Sequence, residues 1–375
     1  MIEPGGPESL PTAPAAARRA ITPGVLIASV LAAAIAGGVV AAGVTLAILH
    51  QQSRTNPQRV DLSSGVTIRE EDATMQVAQK AAPAVVSIVT HPATMSHGAG
   101  FLVTSDGYVV TNIGVVANAQ TLAVLISGDS RAHDARLVDY DCGTGLAVLK
   151  VDGVSNLPTL TFDSASTLAP GQIVVLVGGP IADPEATTRG VISALHAMVT
   201  VDAATGGAAT QMSDLIRTDA GIDPGVSGGP LLNVGGHVVG VAMAATSQGR
   251  ATGLAIPAGD VQPEVEEIVQ GSGLVVPSLG AQTLEVSVGT AAIQNSVAGA
   301  QITAVDPGGP ASLAGLRPGD VITQLDDQRL DDAHPLGQVL RTRFRPEQRV
   351  TVSYARAGSS GQVQLTLLGA HPACR

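Results

Sequence analysis

The chain has 375 residues, of which 45% are hydrophobic and only 2% are aromatic, and its formal net charge is −11 at pH 7. This length allows two or three domains with cores of Val, Leu, Ile and Ala, and the negative charge argues against nucleic acid as a partner. The only cysteines are Cys142 and Cys374. They allow one bridge in an oxidising compartment, but two free thiols are the simpler interpretation. The histidines lack metal-ligand spacing, so we expect no metal and no cofactor.

The N-terminal region contains one long apolar segment. Residues 1–24 are rich in Pro and Ala and are expected to form a disordered tail. Residues 25–49 carry no charged side chain and exceed the ~20 residues that a membrane-spanning helix needs. A cleaved signal peptide is the alternative, although its apolar core is usually only ~7–15 residues long. Residues 50–72 follow as a polar linker, and a helix is predicted to begin near Glu70.

The following segment predicts an all-β domain. Short Val-rich runs recur there at strand spacing, and no long helical pattern interrupts them. These runs lie at 85–89, 101–103, 108–111, 122–126, 146–151, 173–177, 191–195 and 238–243. Asp106-Gly107 is a typical hairpin dipeptide. A helix with apolar residues on one face is predicted near 261–269, and it would close a domain that spans 73–270.

A serine in a glycine-rich turn is the most distinctive local motif. Residues 225–229 read Gly-Val-Ser-Gly-Gly, with Ser227 in the position of a nucleophile. A serine hydroxyl needs a base, usually His, and a carboxylate that orients this base. The backbone N–H groups of Gly225, Val226 and Ser227 are candidates for an oxyanion hole, because the glycines permit the tight turn.

Seven segments resemble, in the same order, the HtrA family of membrane-anchored or periplasmic trypsin-like proteases that are followed by a PDZ domain. They are Gly98–Val103, Gly107–Asn112, Leu146–Val151, Gly190–Ala194, Thr218–Ala220, Gly225–Leu231 and Gly253–Pro257. The resemblance implies a trypsin-like double β-barrel and polypeptide substrates. It also implies a cytoplasmic tail at 1–24 and C-terminal domains on the extracytoplasmic side of the cell membrane.

The resemblance fails at two of the three catalytic positions. Residues 111–116 read Thr-Asn-Ile-Gly-Val-Val where the family has Thr-Asn-x-His-Val-Val, so Gly114 stands at the position of the base. Residues 144–149 read Thr-Gly-Leu-Ala-Val-Leu where the family has Thr-Asp-Leu-Ala-Val-Leu, so Gly145 stands at the position of the acid. Of the triad only Ser227 remains, as a residual nucleophile.

A few other residues are weaker candidates for the missing groups. His97 precedes a glycine-rich strand and is the first candidate for a substitute base. The adjacent His133 and Asp134 would point to opposite faces of a strand. Cys142 is a weak alternative nucleophile, and His196 is expected at the surface or in a loop.

The C-terminal module resembles a PDZ domain over residues 277–372, after a short linker at 271–276. Residues 310–322 carry the signature Pro-Ala-Ser-Leu-Ala-Gly-Leu-Arg-Pro-Gly-Asp-Val-Ile, and a helix-like stretch lies at 335–343. Such domains bind a peptide as an added strand at a sheet edge. The resemblance assigns two sets of residues to this role: Ser278, Leu279, Gly280 and Ala281 in the loop that holds the terminal carboxylate, and Leu336, Val339 and Leu340 on the flanking helix. The alternative is a PDZ domain that only packs on its own protease domain.

The sequence therefore predicts an all-β double barrel of trypsin type with a C-terminal α+β PDZ domain and one N-terminal transmembrane helix. Its predicted function is that of a membrane-anchored pseudoprotease that binds unfolded or C-terminal peptide segments without cleaving them. Expected partners are client polypeptides, the membrane through residues 25–49, and further copies or an active paralogue in an oligomer. The alternatives are a low-activity serine endopeptidase with an unrecognised base and a purely structural scaffold.

Overall fold

The computed structural model describes residues 69–91, 96–117, 119–163, 167–179, 181, 187–201, 210–247 and 250–372. The predicted tail at 1–24 and membrane helix at 25–49 lie outside the described residues, as does most of the linker at 50–72. Within the described part of the chain, no helix is both long and apolar enough to cross a membrane.

The first barrel is closed by six antiparallel strands. Its elements are α1 (Arg69–Ala81), a 3-10 turn (Ala82–Ala84), β1 (Val85–His91), β2 (Ser96–Leu102), β3 (Tyr108–Asn112), α2 (Ile113–Val116), β4 (Thr121–Ile126), β5 (Ala132–Asp141) and β6 (Leu146–Val151). The strands lie in the order β1-β2-β3-β6-β5-β4. Alternate side chains point inward, and Val, Ile and Leu residues such as Val86, Ile88 and Leu149 fill the core.

A second barrel follows with the same strand count. Its elements are β7 (Ile173–Val177), β8 (Thr187–Val201), β9 (Thr210–Thr218), a 3-10 turn (Pro224–Val226), β10 (Pro230–Leu232), β11 (Val238–Ser247), β12 (Arg250–Pro257) and α3 (Ala258–Val269). The strands lie in the order β10-β11-β12-β9-β8-β7. Helix α3 buries Val261, Val265 and Ile268 on one face, as the spacing predicted. The double-barrel prediction is confirmed.

The barrels share a hydrophobic core. Val77 and Ala81 from α1, Phe101 and Val110 from the first barrel and Val241 from the second belong to one buried cluster. The two barrels therefore pack directly against each other, and residues on loops between them contact both.

The C-terminal domain is a small sheet with short helices. Its elements are β13 (Val276–Ser278), β14 (Ala281–Val286), α4 (Val288–Gln294), β15 (Gly299–Val305), α5 (Pro310–Leu313), β16 (Val321–Leu325), β17 (Gln328–Arg329), α6 (Leu336–Arg343), β18 (Arg349–Arg356), β19 (Ser359–Thr366) and β20 (Leu368–Ala370). The sheet runs β14-β15-β16-β18-β19, with β17 on β16, and β13 pairs with β20. Strand β14 is consequently an edge strand. The barrels and this domain belong to one compact unit, Ile68–Arg375.

The structure corrects the preference for free thiols, because Cys142 is disulfide-bonded. The chain's other cysteine, Cys374, lies outside the described residues. The last described segment runs beside Cys142, whose N–H donates to the carbonyl of Pro372 at 3.0 Å. Nearby, Nε2 of His371 lies 2.6 Å from Oδ1 of Asp139. The end of the chain thus lies against the first barrel. Local sequence patterns could not reveal this contact, because its residues are distant in the chain.

Candidate functional site

Ser227 lies between the two barrels and contacts both. It follows the 3-10 turn Pro224–Val226 and is only 7% exposed. Its carbonyl accepts a hydrogen bond from the N–H of Ala99 on β2 at 2.7 Å. Its Oγ accepts one from Asn112 Nδ2 at the end of β3, at 2.8 Å, and one from the N–H of Ala244 on β11, at 3.0 Å. Three strands of two barrels thus fix the position of this serine.

The orientation of the Asn112 amide follows from its other contacts. Its Oδ1 accepts from the N–H of Val115, at 3.1 Å, as the N-cap of α2. Its Nδ2 also donates to the carbonyl of Ala242, at 2.9 Å. The Nδ2 group therefore faces Ser227 as a donor. The catalytic motif alone predicts no role for Asn112, although an asparagine in front of a one-turn helix is the signal of an N-cap.

The contacts of the Ser227 hydroxyl oppose its use as a nucleophile. Both described partners of its oxygen are donors, and donors reduce the electron density that a nucleophile needs. Activation requires a base that accepts the hydroxyl proton, and an amide nitrogen such as Asn112 Nδ2 is not a base. His97, the first candidate for a substitute base, is exposed on β2 opposite Val89 and is not among these partners.

Gly114, at the predicted position of the base, is exposed on α2. A Cβ placed there would meet only Asn112 Oδ1, at 3.1 Å. A side chain therefore fits at this position after a small shift of one amide.

Gly145, at the predicted position of the acid, is buried and has a φ of +86°. Its carbonyl accepts from the N–H of Ile113 at 2.7 Å, and its N–H donates to the carbonyl of Asp141 at 2.8 Å. A Cβ at this position would lie 2.8 Å from Cε of Met212. Because L-residues rarely adopt this backbone conformation, the local structure is adapted to glycine.

Two of the three predicted oxyanion donors are engaged inside the serine turn. The N–H of Val226 donates to the carbonyl of Asp223 at 3.0 Å. The N–H of Ser227 is shared between the carbonyls of Asp223 and Pro224, both at 3.2 Å. The assignment of Gly225, Val226 and Ser227 to an oxyanion hole therefore stays a prediction, and it requires the turn to change its hydrogen bonds.

The predicted carboxylate loop is firmly attached to the C-terminal domain. The N–H of Gly280 donates to Oγ of Ser278 at 3.1 Å, and the carbonyl of Leu279 accepts from the N–H of Ala311 at 2.9 Å. The carbonyl of Gly280 accepts from the N–H of Asp306 at 2.8 Å. Among the described residues, no hydrogen bond takes the N–H of Leu279, so this donor is the one suited to a peptide carboxylate.

The residues of the predicted side-chain pocket are mostly buried. Four of the assigned residues belong to the buried core of the C-terminal domain: Leu279, Leu336, Val339 and Leu340. On α6 the last three follow the i, i+3, i+4 spacing of one helical face. Their use by a peptide side chain stays a prediction, and it requires the groove to widen.

Comparison with known proteins identifies the family. A model of the trypsin-like peptidase domain matches residues 98–241, and a model of the PDZ domain matches residues 301–352. The serine protease Do-like HtrA of Lactococcus lactis subsp. cremoris is 33% identical over 278 residues, which cover 70% of this chain and 67% of that protein. The chain belongs to the HtrA family of trypsin-like serine proteases with a PDZ domain.

Other HtrA-family relatives agree over the same region. A probable periplasmic serine endoprotease DegP-like of Halomonas elongata is 36% identical over 278 residues, covering 72% of this chain but only 56% of its own length. This chain thus spans little more than half of that relative. The structure of HtrA-type protease AlgW with tripeptide is 30% identical, with a TM-score of 0.61 over 80% of this chain and 98% of AlgW. The serine endoprotease from Yersinia pestis is 26% identical, with a TM-score of 0.57 over 79% of this chain and 98% of that one.

In this HtrA-family chain the edge strand of the PDZ domain is in contact with the second barrel. The N–H of Glu285 on β14 donates to Oε1 of Gln211 on β9 at 2.8 Å, and the Glu285 carbonyl accepts from Gln211 Nε2 at 3.2 Å. The side chain of Glu285 accepts from the N–H of Leu336, the first residue of α6, at 2.9 Å. Glu285 thus connects both sides of the predicted groove while its backbone is bonded to the protease-fold domain.

A buried charge cluster joins α6 to the protease-fold domain. Nη2 of Arg341 lies 2.9 Å from Oδ2 of Asp141, which is fully buried. Nε of Arg341 lies 3.2 Å from Oε1 of Glu264 on α3. That oxygen accepts no hydrogen bond from the described residues, so its contact with Arg341 is electrostatic. Oε2 of Glu264 accepts from the hydroxyl of Thr144 at 3.1 Å.

A second group of charges adjoins the first. Gln338 on α6 donates to Asp214 on β9. Nδ1 of His196 lies 2.5 Å from Oδ1 of Asp214, and this histidine is exposed at the surface, as expected, on strand β8. Burial, and next the charge of Asp214, raise the pKa of Asp260 to about 7. Burial, and next Asp141, raise the pKa of Glu264 well above its usual value.

Proposed function

We propose that this HtrA-family chain is a membrane-anchored pseudoprotease that binds polypeptide segments outside the cytoplasm without cleaving them. One observation carries the proposal. The oxygen of Ser227 accepts hydrogen bonds from Asn112 and from the N–H of Ala244, while Gly114 and Gly145 stand where the base and the acid would be. Among the described residues, the hydrogen-bond partners of this oxygen are donors, and no side chain that could accept its proton is one of them.

The expected loss of activity is large. When a triad member is removed, only a residual effect of ~10³–10⁴-fold over water remains, from the oxyanion hole and substrate binding. In this chain two members are replaced by glycine, and the N–H groups of Val226 and Ser227 are bonded within the turn. Turnover of a protein substrate should therefore not exceed background.

Peptide recognition is proposed for the PDZ domain. It has the loop around Leu279 and Gly280, with one N–H that is suited to a carboxylate, and it has an edge strand, β14, beside helix α6. A related solved structure is that of HtrA-type protease AlgW with tripeptide. The proposed ligands are unfolded or C-terminal segments of client proteins, in a chaperone-like or regulatory role in envelope protein quality control.

Placement outside the cytoplasm is part of the proposal. Residues 25–49 would anchor the chain in the cell membrane, with the barrels and the PDZ domain on the extracytoplasmic side. The disulfide of Cys142 fits an oxidising compartment. The Halomonas relative is named a periplasmic endoprotease.

Digestion of a denatured protein substrate by the purified chain tests the proposal, with Ser227→Ala as the matched control. We expect equal background rates for the two proteins and no labelling of Ser227 by a fluorophosphonate probe. Hydrolysis that disappears in Ser227→Ala would instead support the alternative, a low-activity endopeptidase with an unrecognised base. His97→Ala would then be the next variant to measure.

A further inference from the structure

We propose that the interface between the PDZ domain and the second barrel is a proton-controlled latch, which covers the peptide groove at acidic pH and releases it as the pH rises toward neutrality. This inference rests on the proposed function, because the ligand that the latch would exclude is the peptide bound by the PDZ domain.

Helix α6 contacts two domains through two of its faces. Leu336, Val339 and Leu340 pack into the PDZ core. Gln338 and Arg341, three positions apart and therefore neighbours on another face, contact the protease-fold domain. The helix that borders the peptide groove is thus fixed to the protease-fold domain, and the groove cannot widen while these contacts persist.

The side chain of Gln211 occupies hydrogen-bonding groups that an added peptide strand would need. Peptide addition to an edge strand uses the N–H and carbonyl groups that point away from the sheet. At Glu285 both of these groups are bonded to the Gln211 amide, at 2.8 and 3.2 Å. A peptide that extends along β14 as far as Glu285 must displace Gln211. Peptide binding and the closed interface therefore compete.

The buried charges of the interface do not balance when all carboxyl groups are ionised. Four acids, Asp141, Asp214, Asp260 and Glu264, face one guanidinium, that of Arg341, with His196 as the other basic group. The charge of Asp214 raises the pKa of Asp260, and the charge of Asp141 raises the pKa of Glu264. Like charges that are close together in a buried site disfavour full ionisation. The closed interface therefore favours bound protons.

The sign of the pH effect follows from these protons. Burial, and next Asp214, raise the pKa of Asp260 to about 7 from the value of 3.8 for an exposed group, although Arg341 opposes the shift. Burial also raises the pKa of Glu285 to about 7, with the N–H of Leu336 lowering it and Asp332 raising it. An acid with a raised pKa favours the closed state fully at low pH. That advantage is lost as the pH rises from about 4 to about 7.

The experiment uses the full chain and measures opening separately from peptide binding. Hydrogen–deuterium exchange of residues 281–286 is followed at about pH 5.5 and about pH 7.5, with rates corrected for the intrinsic pH dependence of exchange. A fluorescent peptide with a free C-terminal carboxylate is titrated at both pH values. For each proton that is released on opening, each rise of one pH unit below pH 7 should have two effects. The protection of residues 281–286 against exchange should fall about tenfold, and the affinity for the peptide should rise about tenfold.

Two variants, each with a matched control on the same helix, assign the effect to the latch. Asp260→Asn keeps a neutral hydrogen-bonding group, so the loss of protection of residues 281–286 between the two pH values should be smaller than in the unmodified chain, while Glu285 still titrates. Its control is Glu266→Gln, an exposed position on α3. Arg341→Gln removes the buried guanidinium and should expose residues 281–286 at both pH values. Its control is Arg343→Gln, an exposed position on α6. Exchange protection of strand β11 verifies that each variant is folded.

The outcomes separate this inference from the proposed function. Equal protection of residues 281–286 at both pH values in the unmodified chain would overturn the latch, as would unchanged protection in folded Arg341→Gln. If exchange depends on pH but no peptide binds to the opened protein, the latch is supported and the peptide-binding function is refuted. If the peptide binds equally at both pH values, binding does not compete with the interface, and the inference is wrong.

Discussion

Asn112 and Ser227, separated by 115 positions in the chain, are joined by a hydrogen bond of 2.8 Å from Nδ2 to Oγ. The same amide caps α2 and reaches the carbonyl of Ala242 on β11. The residue that contacts the serine in this HtrA-family chain is thus a structural amide that connects two barrels. The residue predicted to be the nucleophile thus takes part in the contact between the two barrels.

Asn112→Ala should destabilise the protein. Loss of the helix cap costs ~1 kcal/mol, and each of the two further hydrogen bonds of this amide, to Ser227 and to Ala242, contributes ~0.5–1.5 kcal/mol. Urea unfolding followed by circular dichroism measures the effect. Gln120→Ala, at an exposed position near α2, is the control and should change stability little. An Asn112→Ala protein as stable as the unmodified chain would contradict the structural role of this amide.

Gly114→His and Gly145→Asp should differ in their cost, although both restore a residue of the family motif. A side chain at Gly114 meets only Asn112 Oδ1, so Gly114→His should fold with nearly unchanged stability. At Gly145 the φ of +86° and the contact with Met212 oppose any side chain. Residues forced into this conformation cost ~1–3 kcal/mol.

Comparison with a second glycine separates the cost of the positive φ at Gly145 from the cost of the contact with Met212. Gly128 has a φ of +80° and nothing within 4 Å of an added Cβ. Gly128→Ala therefore reports the backbone cost alone, and Gly145→Ala should lower the unfolding midpoint further because of Met212. If the folded Gly114→His/Gly145→Asp protein hydrolyses protein in a Ser227-dependent manner, the site has kept its geometry. Equal midpoints for the two alanine variants would contradict the clash.

Amidation of the peptide terminus should weaken binding to the PDZ domain. The free carboxylate is expected to accept a hydrogen bond from the N–H of Leu279, and a hydrogen bond to a charged group is worth ~1.5–3 kcal/mol. The dissociation constant should rise by about 10- to 100-fold. Fluorescence anisotropy with matched free and amidated peptides, at a pH above 7, measures the difference. Equal affinities would mean that the domain recognises internal segments.

A reporter fused after Arg375 tests the topology. If residues 25–49 span the membrane with the tail at 1–24 in the cytoplasm, a reporter that is active only in the cytoplasm should be silent. A periplasmically active reporter at the same position is the control and should give signal. Strong signal from the cytoplasmic reporter would refute the proposed orientation.

Local patterns were sufficient to predict the elements of the fold. The runs at 146–151 and 173–177 are strands with those bounds, and the helix predicted at 335–343 begins only one residue later. Alternation of Val and Leu with glycine turns depends on neighbouring residues alone, so a sequence carries it directly. The glycines at 114 and 145 were visible in the same way, because each lies within a short motif.

The tertiary structure decided which residues that are distant in the chain are in contact. The donors that surround Ser227 come from β3 and β11, and the partner of Arg341 is Asp141, 200 positions away. The positive φ of Gly145 arises from its hydrogen bonds to Ile113 and Asp141, not from the glycine itself, which adopts many conformations. Composition and spacing describe single segments of the chain. The burial of charged side chains and the access to the groove of the PDZ domain depend on which segments pack against each other. The sequence by itself thus determined the family, several elements and the glycines at 114 and 145, whereas only the tertiary structure decided which groups surround Ser227 and that Gln211 and Arg341 connect the PDZ domain to the protease-fold domain.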